Sequence, residues 1–141
     1  EWVKGNTIEE LNENLIKRRN CAKKRTKYLN GIEQLILPKE PKNYYHIYYV
    51  YSILVIPEWS GKNRNKMLEI LEDKFGIICS VTNRPVYERW PYIAKNCGVP
   101  YLPISDQIGE RLFCPPLHPY LNKKQEKYIC ASIIETVNML K

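Results

Sequence analysis

The sequence predicts an α+β domain in which helices flank a small, mostly antiparallel sheet. Three observations carry that expectation. Amphipathic helical stretches opened by capping boxes begin at Thr7 and at Asn122, near the two ends of the chain. An aromatic and β-branched run, Tyr44–Ile56, lies between them. The order helix, strand, helix, strand, strand, helix lacks the regular strand–helix alternation of a parallel sheet. At 141 residues the chain has the length of one domain built around one core. It shows no internal repeat, low-complexity tract or second domain.

Thr7-Ile8-Glu9-Glu10 reads as a capping box, the Thr7 hydroxyl accepting from the Glu10 amide and the Glu10 carboxylate reaching back. Ile8, Leu11, Leu15, Ala22, Leu29 and Ile32 recur at helical spacing, and Asn30-Gly31 supplies the stop, so a long helix spans 7–30. Its middle, from Lys17 to Lys27, is strongly basic. Arg18 and Arg25 fall in line with the apolar stripe, which leads us to expect that this face meets something outside the sequence. Leu35–Asn43 is a proline-bearing connection, and Tyr44–Ile56 is read as one central strand ending at Pro57. Trp59–Lys62 forms a turn. Asn63 is expected to cap a helix whose Met67, Leu68, Leu71 and Phe75 make one apolar face and whose end is Gly76.

Ile77–Val81 has the length and β-branched content of a buried strand. In Thr82–Tyr92 two prolines argue against regular helix, yet the stretch carries two arginines, an asparagine and three aromatics. On residues alone, this is either a loop that holds a ligand or a surface loop whose aromatics pack back on the core. Asn96–Pro103 reads as a loop, Ser105 as the cap of a short helical turn ending near Gly109, and Arg111–Cys114 as a short strand. Asn122-Lys123-Lys124-Gln125 is the second capping box, opening a final helix with Ile129, Ile133, Ile134, Val137 and Leu140 on one face.

The net charge of +7 suits an anionic partner: nucleic acid, a phosphorylated metabolite or an acidic protein surface. No apolar run reaches the roughly 20 residues that span a bilayer, and the start, Glu-Trp-Val-Lys, has no signal-peptide pattern. The start also lacks a Met, so we expect a processed chain or a piece of a longer one. Cys21, Cys79, Cys97, Cys114 and Cys130 form no close pair, which argues against a zinc cluster and for buried free thiols in the cytoplasm.

A complete catalytic centre is not visible. The sequence has no Gly-rich phosphate loop, no HExxH, no GxSxG and no paired carboxylates in a plausible site. Every lysine sits in a charged setting, whereas a Schiff-base lysine needs burial or a cationic neighbour to lower its pKa. His118, between prolines, reads as structural. His46, at the head of the tyrosine-rich run, is either a ligand contact or a satisfied strand-end residue.

Five motifs in order resemble the DegT/DnrJ/StrS family of sugar aminotransferases. They are Lys17-Arg18-Arg19 with Ala22 and Leu29; His46 to Tyr51; Asn63-Arg64 through Phe75-Gly76-Ile77; the Pro85 loop; and Arg111 through Leu121. The match is to the C-terminal, small-domain part of such enzymes. The resemblance implies a dimeric pyridoxal-phosphate enzyme of aminotransferase fold type I. In such an enzyme an amino donor such as glutamate aminates a nucleotide-linked keto-sugar, and the Schiff-base lysine lies on a large N-terminal domain outside these residues. Many family members carry His-Tyr before the loop proline and contact substrate phosphates from the neighbouring subunit. Here the positions are Asn83 and Arg84, and an arginine binds a diphosphate with permanent, bidentate charge. The substrate-binding candidates are therefore Arg84, Asn83, Tyr87 and His46. Arg25 stands where many relatives have an aromatic residue, a local packing difference. From a different class, the alternative is a freestanding basic module that binds nucleic acid through the lysines of the first helix.

Overall fold

The structure, a computed structural model, describes residues 7–82 and 84–141. Helix α1 (Ile8–Leu29) opens on the predicted capping box, with Thr7 Oγ1 accepting from the Glu10 amide at 3.2 Å and the Glu10 carboxylate accepting from the Thr7 amide at 2.9 Å. Strand β1 (Leu35–Ile36) and strand β2 (Ile53–Val55) follow, then a 3₁₀ turn (Pro57–Trp59) and helix α2 (Lys62–Phe75). Three short helices, α3 (Val86–Arg89), α4 (Pro91–Cys97) and α5 (Pro103–Arg111), precede strand β3 (Leu112–Phe113) and the final helix α6 (Lys123–Leu140). Asn122 and Gln125 close the second capping box.

The sheet is antiparallel throughout, in the order β1-β2-β3, with Leu35 opposite Val55 and Ile53 opposite Phe113. Helices α1 and α2 both pack on α6, and the core lies between this layer and the sheet. Its fully buried members come from every layer: Leu29 from α1, Met67 and Leu71 from α2, Ile53 and Phe113 from the sheet, and Ile133 from α6. Each such side chain contributes about 1.5–3 kcal/mol by leaving water. The α2 stripe ends at Gly76, whose φ of 64° and ψ of 26° are left-handed, the geometry that favours glycine just past a helix end.

Several expectations need correction. The run Tyr44–Ile56 is not one strand, since only Ile53–Val55 pairs. Tyr48 turns left-handed at φ 49°, which breaks the extended path, and the carbonyls of Tyr48 and Tyr49 accept from Arg18 rather than from a neighbouring strand. The supposed connection after α1 contains β1. Ile77–Val81 makes a single bridge, Ser80 to Cys114, and leaves Ile78 69% exposed. Gly61, not Asn63, is the N-cap of α2, at φ 64° and with no side-chain cap bond. Pro85 and Pro91 do not exclude helix: Pro85 is the N-cap of α3 and Pro91 starts α4, as Pro103 starts α5, positions where a missing N–H costs nothing. Ser105 consequently lies inside α5, and Cys97 is exposed rather than buried.

The largest correction concerns the arginines of α1, whose face meets this chain itself. Arg25 is fully buried. Its Nε donates to Glu126 Oε1 of α6 at 2.7 Å and its Nη2 to Glu126 Oε2 at 2.6 Å. Nη2 also reaches the carbonyl of Pro116 at 2.7 Å. The Cys21 thiol donates to Glu126 Oε2 at 3.1 Å, and the Arg25 guanidinium carbon lies 5.2 Å from the centre of the Tyr51 ring. The Thr26 hydroxyl spends its proton on the Ala22 carbonyl, so Tyr51 donates in the 2.7 Å contact between the two hydroxyls. Burial pushes the Cys21 thiol up to about 12, helped by Glu126, and does the same to Cys130. Burial alone would also raise the Glu126 carboxyl, but the Arg25 bonds outweigh it and hold Glu126 below the usual carboxylate range.

Removing one member of this pair strands a buried charge, so Arg25→Met or Glu126→Leu alone should cost about 3–5 kcal/mol in urea unfolding, and the double variant much less. A carboxyl depressed in the folded state stabilises above its unfolded pKa of about 4.3. That contribution is lost as pH falls through the lower folded value. Glu126→Gln should therefore flatten the acid limb of the stability curve below about pH 4.

Candidate functional site

The site is built on α5. Arg64 of α2 donates from Nη1 to the Gly109 carbonyl at 3.2 Å and to the Leu112 carbonyl at 2.7 Å. Arg111 donates from Nε to the Val55 carbonyl at 2.7 Å. Ser60 Oγ and the Gly61 amide both reach Glu110. These bonds satisfy carbonyls at the end of α5 and fix the helix to the sheet and to α2.

The arm that crosses α5 leaves the sheet at the Ser80–Cys114 bridge, with amide-to-carbonyl distances of 3.0 and 2.8 Å. Thr82 Oγ1 lies 3.3 Å from Cys114 Sγ. Pro85 then lies buried on Gly109, so close that a β-carbon at position 109 would sit 2.9 Å from Pro85 Cδ. Tyr87 donates its hydroxyl proton to Asp106 of α5. Two points on α5 thus set the path of the arm.

Between the arm, α4 and α5 lies a cleft of about 720 Å³, a volume typical of small-molecule sites. Arg84, Tyr87, Arg89, Trp90, Leu102 and Ile108 are among the residues lining it. Arg84 and Arg89 are exposed, and among the described residues neither has a carboxylate within 4.0 Å. Burial lowers the pKa of Arg64, and the nearby Arg84 charge lowers it further. The Arg89 guanidinium carbon stands 5.8 Å from the centre of the Trp90 ring. Two cations beside an indole face can hold an anionic group attached to a flat or apolar body.

Besides its arginines and aromatic faces, the cleft is lined by the exposed thiol-bearing Cys97 and by Ser105. The hydrogen bond to Asp106 pushes the Tyr87 phenol up to about 12, so at neutral pH it keeps its proton and commits it to Asp106. No group of three or more His, Cys, Asp or Glu side chains among the described residues could hold a metal. No helix among them is long and apolar enough to cross a membrane.

Of the residues predicted from sequence, Arg84 and Tyr87 come together in the cleft, and Asn83 lies outside the described residues. His46 lies elsewhere. Its Nδ1 accepts from the Tyr48 amide at 2.8 Å, its amide donates to Glu40 at 2.8 Å, and its ring centre lies 4.2 Å from that of Tyr48. Its own carbonyl accepts from Arg19, and Arg19 pairs with Glu40 at 2.7 and 3.1 Å. These contacts hold His46 in a clamped loop rather than at a strand end. Arg89, Trp90, Asp106 and Gly109 were not singled out from sequence. Arg89 and Trp90 were visible as two of the charged and aromatic residues of the loop, whereas no spacing connects Asp106 or Gly109 to the arm.

The sequence profile of the DegT/DnrJ/EryC1/StrS aminotransferase family matches residues 4–134. The chain belongs to this family. Solved structures of similar fold include the aminotransferase TlmJ from Streptoalloteichus hindustanus, at 21% identity over 95% of this chain and 34% of that one, with a TM-score of 0.82. The sugar aminotransferase CalS13 from Micromonospora echinospora is similar at 21% identity over 91% and 32% of the two chains, with a TM-score of 0.76. NtdA from Bacillus subtilis, solved with bound cofactor PMP, shows 16% identity over 92% and 29%, with a TM-score of 0.76. No curated protein gives a match. This chain spans about a third of the length of the structures it resembles.

Membership in the DegT/DnrJ/EryC1/StrS family implies a pyridoxal-phosphate cofactor, and the residues present do not fit a covalent site for one. Every lysine among the described residues is exposed, and none is among those lining the Arg84 cleft. A cofactor-anchoring lysine is commonly desolvated in a pocket, and none of the described lysines is buried.

The contact between Gly109 and Pro85 is directly testable. In Gly109→Ala the new methyl group must displace a proline ring carried by the backbone. We expect amide NMR shifts concentrated at residues 84–90 and a cost of about 1–3 kcal/mol in urea unfolding.

Proposed function

We propose that this chain is the small C-terminal domain of a pyridoxal-phosphate-dependent sugar aminotransferase, and that its Arg84 arm receives the substrate's anionic group. The observation that carries this reading is the family match across residues 4–134 of a chain about a third as long as its structural relatives. The catalytic lysine and the cofactor's phosphate contacts then belong to a large domain outside these 141 residues. This agrees with a chain whose described lysines are all exposed. The substrate is a keto-sugar, and the two unpaired cleft arginines favour a nucleotide-linked one, because a diphosphate carries the charge they lack. Glutamate is the amino donor, and the working form is a homodimer in which the arm serves a site shared between subunits. The five free thiols are consistent with a reducing cytoplasm.

Within this scheme Arg84 binds the diphosphate, Arg89 and Trp90 hold the group beyond it, and Tyr87 with Asp106 keeps the arm in place. No step of amino transfer falls to this chain. Mixed with pyridoxal phosphate and then reduced with borohydride, the chain should carry no stoichiometric pyridoxyl group on any one lysine by mass spectrometry. A single fully modified lysine would move the cofactor site into this domain and sink the reading. A nucleoside diphosphate titrated into the chain should shift amide resonances at 84–93, and Arg84→Gln should weaken that binding about tenfold or more.

A further inference from the structure

All seven arginines are spent on the fold or on the cleft, so the outward basic character of the chain comes from lysines. Helices α1 and α6 together carry ten basic and five acidic residues, +5 of the net charge of +7, and six of the ten are Lys17, Lys24 and Lys27 of α1 and Lys123, Lys124 and Lys127 at the start of α6. Outside these two helices the chain carries twelve basic residues against ten acidic ones. The rest of the protein is close to neutral, and the excess is concentrated on two neighbouring helices.

These helices enclose two depressions, of about 230 and 550 Å³, that share Lys24, Lys123 and Glu126. Lys17 and Asn20 also line the smaller, and Lys27 and Tyr28 the larger. The one acid there, Glu126, is neutralised by Arg25 at 2.6 Å and does not oppose an incoming anion. Of the six lysines only Lys17 has a carboxylate within 4.0 Å among the described residues, Glu13 at 3.5 Å on the exposed surface. Lys17 and Lys27 are separated by about 15 Å of helix, the rise of ten residues. The result is an elongated concave row of ammonium groups, all but Lys17 without a carboxylate within 4.0 Å among the described residues, with a half-exposed phenol ring on one wall.

We propose that the groove between α1 and α6 is an anion-binding site for a polyphosphate chain. The phosphates lie between Lys24, Lys27 and Lys123, and Tyr28 forms the wall against whatever the chain carries. Lysine heads are compact point charges on flexible stems, able to follow tetrahedral phosphates strung along a groove without the fixed geometry of an arginine fork. The concavity has the volume of a small-molecule site and not the flatness a membrane would meet. Neither Arg84 nor Arg89 is among the residues lining either depression, so the two anion sites can be separated by substitution.

The probes are inorganic tripolyphosphate and ATP, titrated into the full chain at about 0.15 M salt and followed by amide NMR. Both should shift resonances of α1 and the first turns of α6, with affinity falling as salt rises. Each of Lys24→Gln, Lys27→Gln and Lys123→Gln should weaken tripolyphosphate binding about three- to fivefold, with Tm unchanged because the side chains are exposed. ATP binding tighter than tripolyphosphate, with the margin lost in Tyr28→Ala, identifies a nucleotide as the source of the phosphate chain. Equal affinities identify the inorganic chain. The proposal is overturned if millimolar tripolyphosphate shifts nothing, or if the triple lysine variant binds it unchanged. It is also overturned if Arg84→Gln alone abolishes binding, or if a single-stranded oligonucleotide binds the same lysines far more tightly than tripolyphosphate. Loss of nucleoside diphosphate binding in Arg84→Gln with tripolyphosphate binding intact would separate the fate of this site from that of the cleft.

Discussion

The buried pair between Arg25 and Glu126 is the interaction on which the architecture depends. It joins a helix near the beginning of the chain to one at its end, residues 101 positions apart, and draws the Pro115–Pro116 carbonyls into the same knot. A buried pair of this kind adds little net stability over a well-packed apolar contact, but it tolerates no alternative partner. Its value lies in register, because α1 has one rotational setting on α6 that leaves no charge unpaired. The strand-poor stretch between these helices is built inside the frame they make.

The same device recurs on a smaller scale. The three strands contain only seven residues in all, too few to satisfy the backbone of the segments around them. Guanidinium groups take over where a ladder would have served. Arg18 and Arg19 hold the carbonyls of the 46–49 loop, Arg25 those of Pro115 and Pro116, Arg64 those of Gly109 and Leu112, and Arg111 that of Val55. A planar fork with five donors can serve two carbonyls from one side chain, as Arg64 does. Arg84 and Arg89 make no such bond among the described residues, and they lie on an arm whose path is set by α5, which Arg64 and Arg111 hold in place.

What the sequence disclosed followed the range of the forces involved. Capping boxes, the Gly76 stop and the apolar stripes of α2 and α6 are written within a turn or two, and all were legible, whereas of the α1 stripe Ala22 and Leu29 are buried and Ile8 and Leu11 stand exposed. So was the anomaly of Arg25, whose helical phase set it among core residues, although nothing local could name Glu126 as its partner. Tyr44–Ile56 misled because its composition favours a strand, while the left-handed Tyr48 and the clamps from Arg18 and Arg19 are tertiary decisions. Pro85 and Pro91 were read as barriers when each opens a short helix. Of the residues that line the cleft, Arg84 and Tyr87 were singled out from the loop's chemistry. Asp106 and Gly109, which give the arm its shape, were hidden because a hydroxyl partner nineteen residues away and a missing methyl leave no pattern.

The division of labour between the two basic residue types has a consequence for how the protein fails. Guanidinium groups stay charged at any pH a protein meets, while lysines begin to release protons near pH 10. On the alkaline side, near its isoelectric point of about 9.1, the chain approaches electrical neutrality with its arginine clamps intact. Its limit there is colloidal, a folded protein that loses its mutual repulsion and comes out of solution. On the acid side the limit is conformational, because protonating Glu126 attacks the frame while the surface grows only more cationic and better dispersed. The two ends of the pH scale end the protein's useful life by different routes, precipitation at one and unfolding at the other.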